Sequence, residues 1–254
     1  MTDSARDILP KPFAWVEIPE GKVTLIGATL AVLPSGKTRT YNVPTFSIAK
    51  YPTTNTQYAK FMEAGGYTER KWWKRHFGGM HNQGRPVWSN EERDWVPGTQ
   101  SWLEPTEWHN SQLNQPDHPV VGISWYEADA FCHWLSEITG EPIALPNEVQ
   151  WQRAAQGDTD WAYPWGETFD EARCYNVPNS TCAVTEYEGK GDSPFGVVDM
   201  AGNVNEWCDS ESVIRGKGKI NMCGQRGNPF VAKPEIGFRI ARVTQFPWII
   251  SSSP

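Results

Sequence analysis

Hydrophobic and polar residues alternate in a strand-like pattern over the first fifty residues. Apolar and other side chains alternate from Phe13 to Ile18 and from Lys22 to Ile26, which predicts two strands, and Val43 to Ile48 favours another. The turn residues Pro34-Ser35-Gly36 separate these segments. We therefore expect an antiparallel N-terminal sheet, preceded by a loose polar arm over residues 1–12.

Three later segments combine helical periodicity with the residues that start and stop helices. The first begins at the N-cap candidates Thr53-Thr54-Asn55, and the third begins at Asn147. The second is the clearest, because Ser124 and Glu127 form a capping box ahead of an apolar stripe that ends at Gly140. These signals predict three helices.

The remainder of the chain shows no sustained periodicity. Residues 67–117 predict a long irregular excursion, and residues 158–254 predict turns, short strands and loops. Neither an internal repeat nor a linker-like stretch divides the sequence. A few helices within a mostly irregular β chain predict one α+β domain over residues 1–254.

Composition and charge narrow the classes of function. The net charge of -7 argues against a nucleic-acid-binding surface. No apolar run approaches the roughly 20 residues that cross a bilayer, and the N-terminus lacks a signal-like stretch, so we expect a cytoplasmic protein without a membrane span. The 14 tryptophans indicate either a large aromatic core or the walls of a ligand groove. Five cysteines without a repeating spacing do not define a disulfide framework.

Six ordered sequence blocks resemble one known family. They are FSIAKYPTTNTQYAKFMEAGG (46–66), HPVVGISWYEADAFCHWL (118–135), ALPNEVQWQRAAQG (144–157), AYPWGE (162–167), SPFGVVDMAGNVNEWC (193–208) and IGFRIAR (236–242). On these motifs the chain resembles the formylglycine-generating-enzyme, or sulfatase-modifying-factor, superfamily. The resemblance implies an irregular variant of the C-type-lectin fold, with few helices and short antiparallel strands.

Members of this superfamily perform different functions, so the fold alone does not select one. The superfamily includes copper-dependent oxidases that convert a sulfatase cysteine to formylglycine, and sulfoxide synthases that use histidine-bound iron. It also includes siderophore-maturation proteins and the variable proteins of diversity-generating retroelements.

The segment that would carry oxidase chemistry departs from the family pattern. The resemblance implies two cysteine thiolates that hold a cuprous ion ahead of the closing strand. Here residues 215–227 read RGKGKINMCGQRG and supply Cys223 alone. The five histidines form neither an H-x-x-E nor an H-E-x-x-H pattern. Both observations argue against copper or iron.

Calcium agrees better with the sequence, because it takes hard oxygen ligands that turns can hold. Carried over from the family, a structural calcium ion would bind the side chains of Asp199 and Glu206 and the backbone carbonyls of Gly202 and Val204. A second family site would begin at Asn176-Val177, but its partner aspartate has no counterpart here. The alternative is that Asp199 and Glu206 bind loop backbone without a metal.

Two functional hypotheses follow from these patterns. The first is a non-catalytic ligand-binding protein that uses its irregular C-terminal surface to bind a protein or a small molecule. The residues expected to contact that ligand are Trp207, Arg215, Asn221, Arg226 and Asn228. Some relatives diversify this segment through a retroelement. The sequence leaves that alternative open here but does not support it, since the usual Asn/Tyr-rich run is absent. The alternative is a metal-dependent oxidoreductase, formylglycine-generating or sulfoxide-synthase-like, with an atypical site at Cys223.

Overall fold

Four α-helices and twelve β-strands lie in the part of the chain that the structure, a computed structural model, describes: residues 4–27, 35–73, 87–89, 94–96, 103–209, 213–220, 224–229 and 231–243. The helices are α1 (Ala5–Ile8), α2 (Asn55–Glu63), α3 (Trp125–Thr139) and α4 (Glu148–Gln156). The strands are β1 (Trp15–Ile18), β2 (Gly21–Ile26), β3 (Thr38–Val43), β4 (Phe46–Ala49), β5 (Val87–Ser89), β6 (Asp94–Val96), β7 (Ile143–Ala144), β8 (Asn205–Trp207), β9 (Val213–Arg215), β10 (Gln225–Arg226), β11 (Ile236–Phe238) and β12 (Ala241–Arg242).

Two four-stranded sheets organise the fold. The first has the order β1-β4-β12-β7 and is antiparallel throughout. The second has the order β10-β9-β8-β11, and its β8–β11 pair is parallel. Two further antiparallel pairs, β2–β3 and β5–β6, stand apart from these sheets. The expected α+β class with few helices and short, mostly antiparallel strands is therefore confirmed.

The strand expected from Val43 to Ile48 is divided between two strands. Val43 ends β3, and β4 starts only at Phe46. Pro44 lies between them and has no N–H to donate to a ladder, which accounts for the break. The strands expected near Phe13–Ile18 and Lys22–Ile26 are confirmed as β1 and β2.

The three predicted helices are confirmed, each with a reciprocal capping box at its start. The N-cap side chain accepts from the N3 backbone N–H, while the N3 side chain accepts from the N-cap N–H, in the pairs Thr54–Gln57, Ser124–Glu127 and Asn147–Gln150. Gly140 ends α3 with a φ of 70°, a left-handed conformation that glycine adopts without a Cβ penalty. Among the described helices, none combines the length and apolar character that a membrane span requires.

Aromatic side chains fill the core on which the sheets and helices pack. Tyr58 of α2 stacks on Phe131 of α3 with ring centroids 5.7 Å apart, and Phe131 meets Phe238 of β11 edge to face at 5.2 Å. The described tryptophans in this interior are Trp72, Trp73, Trp125, Trp134, Trp151 and Trp207. The aromatic-core interpretation therefore holds for these six residues.

The loose arm expected over residues 1–12 is a packed segment from Ser4 onward. Ser4 and Asp7 form a capping box for α1, and Ala5 and Leu9 are buried in the main core. Burial of these two apolar side chains, which the short polar sequence around them does not suggest, fixes the segment against the domain.

Candidate functional site

A buried ion pair joins the second sheet to the closing segment of the chain. Arg239 Nη2 and Nε donate to Glu206 Oε1 and Oε2 at 2.6 and 2.7 Å, and Trp151 Nε1 donates to Oε2 at 2.8 Å. All three residues are fully buried. Arg239 also donates to the carbonyl of Val198 at 2.9 Å. Because both charges are paired bidentately, the arrangement avoids an uncompensated buried ion.

Asp199 is a buried carboxyl group with one oxygen left open. Its backbone is left-handed, with a φ of 59°, and its Oδ2 accepts from Asn203 Nδ2 at 2.9 Å. No described residue donates to Oδ1. Burial raises the pKa of Asp199 to about 7, although the Asn203 hydrogen bond and the Arg239 charge oppose the shift. Asp199 Oδ1 is therefore a buried acceptor that no described side chain or backbone N–H reaches.

A cavity of about 340 Å³ lies beside β8, β9 and β11. Three lysines, Lys217, Lys219 and Lys233, line it together with Glu235. Its apolar wall is formed by Ile214 and Ile236. Within the described residues, the lining contains neither cysteine nor histidine.

Two glycines shape the loop that carries Lys217 to this cavity. Gly216 and Gly218 have φ values of 132° and 126°, which side-chain-bearing residues rarely adopt. The backbone N–H of Lys217 donates to Asn205 Oδ1 at 3.1 Å, which ties the loop to β8. Lys217 is half-buried, and this burial lowers the pKa of its ammonium group while the charge of Glu235 opposes the shift.

Two of the residues expected to contact a ligand are held inside the protein. Trp207 is 1% exposed, and its indole N–H donates to the Ile123 carbonyl at 3.0 Å, so it belongs to the core. Arg215 lines the cavity, but its guanidinium is buried and pairs with Glu148 at 3.1 Å and Gln152 at 3.1 Å. Arg215 therefore forms a rigid floor rather than a mobile contact.

The other three residues expected to contact a ligand, Asn221, Arg226 and Asn228, lie on or near β10 in the sequence. Asn228 is exposed beyond β10, and the backbone of Arg226 pairs with Val213 in β9. The side chain of Arg226, like Asn221 and Cys223, lies outside the described part of the chain. Lys233 and Glu235 carried no sequence signal, because they lie in an irregular segment that only the fold brings to the cavity.

A family comparison supplies the classification. Residues 10–244 match the family described as "Sulfatase-modifying factor enzyme 1-like domain". The chain belongs to this family. The resemblance drawn from the six sequence blocks is therefore confirmed.

Known members of the sulfatase-modifying factor family show how widely its functions differ. A formylglycine-generating enzyme of Thermomonospora curvata is 34% identical over 219 residues, covering 76% of this chain and 70% of that protein. A hercynine oxygenase of Mycobacterium tuberculosis is 28% identical over 180 residues, covering 66% of this chain and only 38% of that protein. Family membership therefore leaves the specific function to be argued from the site.

Two solved structures share the fold of this sulfatase-modifying factor domain. PvdO from Pseudomonas aeruginosa superposes with a TM-score of 0.60 at 18% identity, over 90% of this chain and 93% of that one. Treponema denticola variable protein 1 gives a TM-score of 0.59 at 19% identity, over 91% and 95% of the two chains. At such identities these likenesses establish the fold alone.

Three described cysteines of this family member have raised pKa values, which favours the thiol over the thiolate. Burial raises the pKa of Cys174 and Cys208, and it raises the pKa of Cys182 to about 12. Cys132 is also fully buried, in the main core. Since the thiolate is the form that binds copper and attacks substrates, none of these three shifted thiols is poised for either role.

The calcium ligands carried over from the family fit a cation in part. Asp199 Oδ1 offers an open hard oxygen, as calcium prefers. Both oxygens of Glu206 already accept from Arg239, whose positive charge opposes a cation. The described residues contain no group of three or more His, Cys, Asp or Glu side chains arranged for a metal. A calcium ion here would therefore depend on Asp199 and on backbone carbonyls.

The second carried-over position lies on the surface. Asn176 and Val177 are both exposed, and the side chain of Val177 is not packed against the core. They lie in an irregular segment just before the turn at residues 178–179, and no group of three or more metal-binding side chains is found among the described residues.

Proposed function

We propose that this protein is a non-catalytic ligand-binding member of the sulfatase-modifying factor family, with its site in the C-terminal cavity. The observation that carries the proposal is the chemistry of the cavity lining, which offers three ammonium groups, one guanidinium, one carboxylate, one amide and two aliphatic side chains. A few polar groups beside aliphatic side chains are typical of a small-molecule site, and the volume falls in the usual range.

The floor of the cavity is rigid, which favours tight binding of a small ligand. Arg215 pairs with Glu148, and its guanidinium lies 4.9 Å from the centre of the Trp151 ring. Glu148 also accepts a short hydrogen bond from the backbone N–H of Gly224. Because these groups are already ordered, binding a ligand would immobilise few additional side chains.

The proposal includes a structural calcium ion at Asp199, with the carbonyls of Gly202 and Val204 as further ligands. The Oδ1 of Asp199, a buried oxygen without a described donor, supports this proposal, because calcium prefers hard oxygen ligands. A bound cation would stabilise the ionised carboxylate and so offset the burial that raises the pKa of Asp199 to about 7. The role of the ion would be to fix the turn that precedes β8. Glu206 would contribute only an oxygen lone pair that Arg239 leaves free.

Metal analysis of the purified protein tests both parts of the proposal. We expect calcium and no stoichiometric copper or iron, and a lower melting temperature after chelation. The Asp199→Ala variant is expected to show no response to chelation, because it removes the open carboxylate oxygen. Stoichiometric copper or iron that is lost in Cys223→Ala would overturn the binding proposal in favour of the oxidoreductase alternative. An unchanged chelation response in Asp199→Ala would remove the calcium site.

A further inference from the structure

We infer that the C-terminal cavity binds a small organic anion, a carboxylate or a phosphate monoester, through Lys217, Lys219 and Lys233. This inference rests on the proposed function, since it names the chemical class of ligand for the same cavity. It concerns the charge of the ligand, whereas the proposed function concerns binding without catalysis.

The first support is a local excess of positive charge. Three lysines line the cavity against one carboxylate, Glu235, while the chain as a whole carries a net charge of -7. Arg215 adds no excess charge, because Glu148 neutralises it. Among the described residues, none of the three lysines forms an ion pair within 4.0 Å, so their ammonium groups are available to a ligand. Clustered like charges repel one another, and an anion relieves that repulsion.

The second support is the placement of Lys217. Its backbone is anchored to Asn205 between two glycines, so the position of the side chain is restricted before a ligand arrives. Lys217 is half-buried, whereas Lys219 and Lys233 are exposed at the rim. A partly desolvated ammonium interacts more strongly with an anion than a fully hydrated one does. Lys217 is therefore expected to contribute most, with the rim lysines attracting the ligand.

The third support is the apolar side of the same cavity. Ile214, which is half-buried, and Ile236, which is 3% exposed, line the same cavity as the lysines, so Ile214 provides most of the apolar contact. Inorganic phosphate alone would leave this wall unused, whereas an aromatic or aliphatic group attached to the anion would cover it. The combination favours an organic anion over a free inorganic ion. Phenyl phosphate and benzoate reproduce the two anionic groups on the same ring.

Isothermal titration with four matched probes tests the inference. Phenyl phosphate and benzoate are the anionic probes, and benzyl alcohol and benzamide are their neutral counterparts. We expect at least one anion to bind, and its neutral counterpart to bind with an affinity lower by roughly 10-fold or more. Hydrogen bonds to charged groups are stronger than hydrogen bonds between neutral groups. The preferred anion distinguishes a phosphate site from a carboxylate site. Raising the salt concentration is expected to lower the affinity for the anionic probes and to leave the affinity for the neutral probes unchanged.

Variants of Lys217 separate a direct contact from a general effect of charge. Lys217→Gln is expected to lower the affinity for the anion by roughly 10-fold, and Lys217→Arg is expected to retain most of that affinity. Lys37→Gln makes the same change of charge at an exposed turn before β3 and is expected to bind as the parent protein does. Thermal unfolding of each variant verifies that it is folded.

Two results would overturn the inference. Neutral probes that bind as tightly as the anions, with no effect of Lys217→Gln, would show an uncharged ligand site and leave the proposed function intact. Binding of neither anion would also reject the inference, while the metal analysis would still decide independently whether the protein carries redox chemistry.

Discussion

Replacing Arg239 with methionine is expected to lower the free energy of unfolding by about 3–5 kcal/mol. The substitution keeps an apolar chain of similar length but leaves the fully buried Glu206 carboxylate with only the Trp151 N–H as a donor among the described residues. It also removes the donor to the Val198 carbonyl. An uncompensated charge in the interior is costly, because it has lost its hydration and gained no partner. Urea unfolding monitored by tryptophan fluorescence measures the change.

Arg242 provides a matched control three residues along the same motif. Its pair with Glu141 is partly exposed at 3.4 Å, and it also lies over the Trp15 ring. Arg242→Met is expected to cost less than about 1 kcal/mol, since solvent screens exposed pairs. The double variant Glu206→Leu/Arg239→Met is expected to regain part of the loss, because it removes both buried charges. Equal costs for Arg239→Met and Arg242→Met would contradict the assigned role of the buried pair.

Replacing Gly216 with alanine is expected to destabilise the protein by about 3 kcal/mol and to weaken ligand binding. A Cβ at this position would lie 2.6 Å from the Val204 carbonyl oxygen and 2.9 Å from the Asn205 Cα. Both atoms belong to the backbone next to β8 and cannot move away as a flexible side chain could. The loop must therefore shift from β8, which displaces Lys217 from the cavity. Urea unfolding and titration with the anionic probes measure the two effects.

Gly218→Ala is the control that separates the steric clash from backbone strain. The φ of Gly218, 126°, is close to the 132° of Gly216, so both substitutions strain the backbone similarly. A Cβ on Gly218 would meet no atom within 4 Å. Gly218→Ala therefore carries the backbone strain alone, at about 1–2 kcal/mol. A cost for Gly218→Ala as large as that for Gly216→Ala would show that close packing against β8 is not what positions the loop.

Local signals in the sequence were sufficient for the helices and for several strands. The capping boxes at Ser124 and Asn147 act within four residues, so the same residues that signal the start of a helix also form it. The six family motifs extended the prediction from single helices and strands to the whole fold, because the resemblance that they carry implies the fold of the family. The division between β3 and β4 was missed because apolar residues continue on both sides of Pro44.

The site depends on contacts between distant segments, which local patterns do not encode. Trp207 was expected at a surface, yet its N–H reaches Ile123, 84 residues away. Arg215 was expected to meet a ligand, yet it pairs with Glu148, 67 residues away. The sequence contains each of these residues but gives no sign of its partner. Lys233 and Glu235 reach the cavity for the same reason, through the parallel pairing of β11 with β8.

Filling the C-terminal cavity tests most directly whether it is the ligand site. Ile214→Trp introduces an indole from β9 into the cavity, and Ile138→Trp introduces the same group on α3, where Ile138 is 36% exposed. Titration of both folded variants with phenyl phosphate and benzoate gives the comparison. We expect Ile214→Trp to lose roughly 10-fold or more in affinity for the anion that binds the parent protein, and Ile138→Trp to keep it. Unchanged affinity in Ile214→Trp would place the ligand elsewhere and contradict the assignment of this cavity.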